Sequence, residues 1–86
     1  MSKSKITPAQ RKLIDAHPAS GPDVIIHNRF TGAPVKVSAQ VKVLYLAAME
    51  LYSRIQQGEH KLVRKFDALR YAVLALDPNA YSSLLD

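Results

Sequence analysis

The residues able to do chemistry in this chain are few and scattered. Three histidines sit in unrelated settings: His17 before Pro18 at a helix end, His27 on the polar side of a strand, and His60 at a helix start. No HxH or HxxxH spacing exists, so zinc would require convergence from distant segments, and neither a metal nor a cofactor is expected. The one acid–base pairing worth weighing is His60 with Asp67. Seven residues separate them, about two helical turns, which is too far for a direct hydrogen bond. Gly21, Gly32 and Gly58 stand singly and each suits a turn, so there is no phosphate-cradling loop. There is no cysteine, which removes thiolate chemistry and disulfides and suits a reducing compartment. These residue types point away from an enzyme.

Charge offers a second kind of chemistry. The net charge is +5, spread along the chain with no run of four or more Lys/Arg. Lys61, Arg64, Lys65 and Arg70 follow a helix and a glycine-containing turn, loosely the order of a helix-turn-helix reader. Such a reader needs polar side chains able to reach base edges, and the segment offers few beyond these four. Arg64 with Asp67, or Glu59 with Lys61 and Arg64, could instead form solvated ion pairs one turn apart. A basic nucleic-acid-binding regulator is therefore the alternative reading.

Apolar residues give the leading one. From Val41 to Leu76 the chain is an apolar block broken once, at Gln56-Gln57-Gly58. In its second half Leu62, Phe66, Leu69, Val73 and Leu76 form one stripe, and Val63, Tyr71 and Leu74 lie on the other side near Asp67. Either the hairpin or the first helix covers this second stripe, or it is a protein interface, with a homodimer as one form. Each of Val63 and Leu74 would stabilise an interface by roughly 1.5–3 kcal/mol on burial. Arg29 and Phe30 form the other candidate contact, a cation and an aromatic at a hairpin tip of the kind found in interface hot spots. Phe30 could equally fold back on Tyr45 or Tyr52.

The elements that must hold these residues are marked by local signals. Thr7-Pro8-Ala9-Gln10 reads as a capping box with proline at the first helical position, opening a short helix that ends before Pro18. Residues 1–6 read as a flexible tail and 7–86 as one small domain. Val24–Asn28 and Ala33–Val37 flank a turn, so a β-hairpin is expected, with Asn28 bonding the turn and Gly32 supplying positive φ. Pairing Asn28 with Ala33 sets Ile26 against Val35 and Val24 against Val37 on a face that must pack on helices. Ile25, His27 and Lys36 take the other face, and Pro34 marks an edge strand. Ser38 caps a helix over roughly 39–57 that Gly58 stops; a third runs roughly 59–76; Asp77-Pro78 caps a last helical turn. The fold class is α+β and mostly α: short N-terminal helix, β-hairpin, long antiparallel helix pair and short C-terminal helical turn.

Size and composition bound the rest. Eighty-six residues support one core, and 48% hydrophobic with 22% charged residues is globular rather than disordered composition. The basic start is not followed by an apolar run, so a secretory signal is not expected, and Val43–Met49 is far too short to span a membrane. The expectation is a soluble cytoplasmic protein.

The stretch Asn28–Ser38, a long helix after it, and the closing Pro78–Asp86 together resemble a pattern in small accessory proteins of tailed bacteriophages. The resemblance spans about residues 24–86; the basic segment Lys61–Lys65 departs from the more acidic versions of that pattern. It implies a viral accessory protein acting by binding in the host cytoplasm or as a virion component, and it transfers no catalytic residues. The expected function is a non-enzymatic interaction module that binds a host or viral protein. Val63, Tyr71, Leu74, Arg29 and Phe30 would be the contacts, and the basic surround would speed approach to an acidic partner.

Overall fold

The computed structural model describes residues 6–85. The elements run α1 (Pro8–Ala16), β1 (Val24–His27), β2 (Pro34–Val37), α2 (Ala39–Gln56), a 3-10 turn (His60–Leu62), α3 (Val63–Leu76) and α4 (Pro78–Leu84). This is the expected α+β architecture. The expected tail over residues 1–5 lies outside the described residues, whereas Ile6, read as part of it, is half-buried against the core.

Local chemistry fixes each boundary. The Thr7 hydroxyl accepts from the Gln10 N–H at 3.1 Å, and the Gln10 side chain accepts from the Thr7 N–H at 3.0 Å, completing the capping box. At the other end of α1, the Gln40 side-chain amide donates to the His17 carbonyl at 2.6 Å, so a residue of α2 satisfies an orphan of α1. The Ser38 side chain accepts from the Val41 N–H at 3.2 Å and opens α2.

The turn between α2 and α3 is a Schellman motif. Gly58 has φ +110°, its N–H donates to the Ile55 carbonyl at 2.9 Å, and the Glu59 N–H reaches back to the Arg54 carbonyl at 3.1 Å. The two positions that often make an apolar contact in this motif hold an ion pair instead. Arg54 donates from Nε and Nη2 to the two Glu59 carboxylate oxygens at 3.1 and 3.0 Å. Those hydrogen bonds hold the Glu59 carboxyl below the usual carboxylate range and raise the Arg54 guanidinium. The sequence-level pairing of Glu59 with Lys61 and Arg64 is thus replaced, and the third helix starts through a 3-10 turn rather than as α-helix from Glu59.

The hairpin pairs in the expected register, Val24 with Val37 and Ile26 with Val35. Val37 is buried, while Val24, Ile26 and Val35 are half-buried against the core. The core is one cluster, with Leu44, Leu84, Val37, Val41 and Val73 its largest fully buried side chains. Each contributes roughly 1.5–3 kcal/mol. Ala48 and Ala72 are wholly buried, and the lack of bulk there suits the close approach of α2 and α3. Leu76, expected in the core stripe, is 39% exposed. Leu76 is the last residue of α3, and the Asp77 side chain beyond it accepts from the Ala80 N–H at 3.1 Å and starts α4. Among the described residues no helix is long and apolar enough to cross a membrane.

Candidate interaction surface

Which side of α3 is covered follows from where α1 docks. A groove of about 350 Å³ between the helices is lined by Leu13 and His17 of the α1 end, Ala47 and Leu51 of α2, and Lys65 and Leu69 of α3. So α1 lies along the Lys65–Leu69 side. At 100° per residue, Val63, Asp67, Tyr71 and Leu74 fall within an arc of about 80° on the opposite side. The hairpin packs on α2 and α4 instead. Val63 is 41% and Tyr71 45% exposed; Leu74 is half-buried but outside the core cluster.

The hairpin tip reaches this region through an aromatic chain. Asn28 builds the turn: its Oδ1 accepts from the Phe30 and Thr31 N–H groups at 2.7 and 3.0 Å, and Gly32 closes it with φ +78°. Its Nδ2 donates to the Ser83 carbonyl of α4 at 2.8 Å, fastening the turn to the helical layer. The buried Tyr45 hydroxyl accepts from the Arg29 N–H at 3.0 Å. Held this way, Phe30 meets Tyr52 edge-on with ring centroids 5.5 Å apart and an interplanar angle of 85°. Tyr52 in turn lies 5.8 Å from Phe66. Phe30 therefore folds back on Tyr52, yet it stays 59% exposed.

Arg70 extends the chain onto the outer face of α3. Its guanidinium carbon lies 5.7 Å from the Phe66 ring centroid and 5.0 Å from that of Tyr71. Its Nη2 donates to Asp67 at 3.0 Å and to the Tyr71 hydroxyl at 3.4 Å, while its Nε is buried and has no hydrogen-bond partner among the described residues. Phe30, Tyr52, Phe66, Arg70 and Tyr71 thus form one ridge. Val63 at the start of α3 and Leu74 near its end flank the ridge on the outer face of the helix.

Two sequence expectations change here. The cation–aromatic contact belongs to Arg70, because the Arg29 guanidinium turns to the Ser53 hydroxyl at 3.3 Å. Asp67 pairs with Arg70 rather than Arg64. Lys61, Arg64 and Lys65 are exposed, but Arg70 lies roughly 120–140° around the helix from Arg64 and Lys65. The four cations grouped from the sequence do not share a face. Tyr52 and Phe66 pack against the core as their helix stripes predict, and being only half-buried they also join the surface ridge, which the stripes alone do not show. A signal existed: they lie six and eight residues on either side of Gly58, so an antiparallel pair hinged there brings them level.

Among the described residues, no group of three or more His, Cys, Asp or Glu side chains converges. Compared with protein-family models, curated proteins and solved structures, the chain matches none.

Proposed function

We propose that this chain is a non-enzymatic protein-interaction module, a tailed-phage accessory protein that docks on a host or virion protein through the Phe30–Tyr71 ridge. The observation that carries this reading is the continuity of the ridge. Two apolar features far apart in sequence, the hairpin tip and α3, meet as one aromatic surface, flanked by Val63 and Leu74 on the side of α3 away from α1. Tyrosine and arginine are the residue types that dominate binding energy at interfaces, and Tyr71 and Arg70 stand here already stacked. Their order before binding reduces the entropy lost on association. Lys61, Arg64 and Arg29 give the surround a positive potential that favours an acidic partner in the host cytoplasm or the particle. The action is occlusion of that partner's surface.

The test places a photoreactive phenylalanine analogue at Tyr71 and irradiates the protein in bacterial lysate. One discrete protein adduct is expected. It should be absent when the analogue replaces Arg11 on α1, lost in Leu74→Asp with unchanged circular dichroism, and kept at moderate salt. A nucleic-acid adduct lost steeply with salt and abolished by Lys61→Glu with Arg64→Glu would overturn this reading for the nucleic-acid one.

A further inference from the structure

The hairpin is a two-stranded sheet, so each strand has one free edge, and the two edges differ. The Asn28 N–H donates to the Ala33 carbonyl at 2.9 Å, which sets the alternation along the ladder. Val24 and Ile26 bond across to β2, and the N–H and C=O groups of Ile25 and His27 point away from it. On β2 the outward positions are Pro34, which has no N–H, and Lys36, which is charged; α4 also packs against this strand. Proline and lysine are the devices by which natural sheets blunt an edge. β1 carries neither. Its outward positions are His27 and Ile25, the latter at 64% the most exposed large hydrophobic side chain among the described residues.

We propose that the free edge of β1 pairs antiparallel with the same edge of a second copy, giving a four-stranded sheet across a two-fold axis at Ile25. The sequence of the edge is self-complementary in that register. Ile25 faces Ile25 of the second copy, and Asp23 faces its His27, twice by symmetry. Ile25 and His27 share the solvent face of the hairpin, and pairing of the two edges would extend β1 by one residue to the exposed Asp23, whose carboxylate then meets an imidazole N–H while the two isoleucines cover each other. Val24 and Ile26 keep their places against the core. A four-residue edge buries less than a standard interface of about 1,200 Å², so the dimer is concentration-dependent rather than obligate. The ridge is not used, and the dimer presents two copies of it, which raises avidity for a repetitive partner.

The chain has no cysteine, which makes the register directly testable. Sedimentation of the full chain from roughly 10 µM to 1 mM is expected to show mass rising from monomer toward dimer. Ile25→Lys should remain monomeric with unchanged circular dichroism and thermal midpoint. Under mild oxidation Ile25→Cys should form a disulfide-linked dimer, since directly opposed residues in hydrogen-bonded pairs lie about 5.5 Å apart at Cα. Asp23→Cys and His27→Cys should each fail alone and cross-link when combined, and Lys36→Cys on the same face should fail. Asp23→Lys should raise the dissociation constant by roughly fivefold, and adding His27→Asp should restore it. A strict monomer at every concentration overturns the proposal. So does cross-linking of similar yield at positions 23, 25, 27 and 36, or a dimer that survives Ile25→Lys and is lost in Leu74→Asp. That last result would move the dimer to the ridge and leave the ridge reading standing.

Discussion

Replacing Tyr45 by phenylalanine removes one oxygen and little else. The ring is almost fully buried in α2, so its packing is kept, and the loss is confined to the bond from the Arg29 N–H at 3.0 Å. A net intramolecular hydrogen bond contributes about 0.5–1.5 kcal/mol, and leaving a half-buried donor without its partner keeps the cost near 1 kcal/mol. For a domain of this size that lowers the thermal midpoint by about 4–8 °C. The same bond positions the tip, so the Arg29 amide should exchange with solvent about fivefold faster, and the nuclear Overhauser contact between Phe30 and Tyr52 should weaken. Tyr81→Phe is the control, since among the described residues its hydroxyl has no hydrogen-bond partner, and its effect should stay within about 0.5 kcal/mol. A Tyr45→Phe protein that loses less than about 0.3 kcal/mol, with Arg29 exchange unchanged, would refute the argument that this hydroxyl holds the tip over Tyr52.

Asn28→Asp keeps both turn acceptors but sets a carboxylate against the Ser83 carbonyl, and should cost about 1–2 kcal/mol by denaturant unfolding. Asn28→Ala should cost more, because it also frees the Phe30 and Thr31 N–H groups; an Asn28→Asp protein with no loss would mean that α4 plays no part in holding the turn. Gly58→Ala meets no atom within 4 Å of the new Cβ, so its expected loss of about 1–2 kcal/mol is purely backbone strain at φ +110°. The lowered Glu59 pKa means its contribution is present above the usual carboxylate range and lost as pH falls through the folded value. The stability advantage over Glu59→Gln, read from thermal melts at low salt, should therefore shrink toward acid; an advantage that grows toward acid contradicts the pairing with Arg54.

The sequence by itself determined the elements and their joints. Thr7 and Gln10, Asn28 and Gly32, Ser38, Gly58 and Asp77 act through hydrogen bonds spanning only a few residues, so their effects are readable in chain order. The hairpin register was legible for the same reason, since one turn bond fixes every pair beyond it. Only the tertiary structure decided which side of α3 receives α1, because that depends on how Leu13, Ala47, Leu51 and Leu69 meet around one groove from three separate helices. That single choice leaves Val63 and Tyr71 uncovered. Tertiary packing likewise moved Arg70 from a basic face to an aromatic stack and carried Phe30 to Tyr52. The ridge is therefore a property of assembly: its members are separated by up to 41 positions from Phe30 to Tyr71, and no local interaction records that they meet.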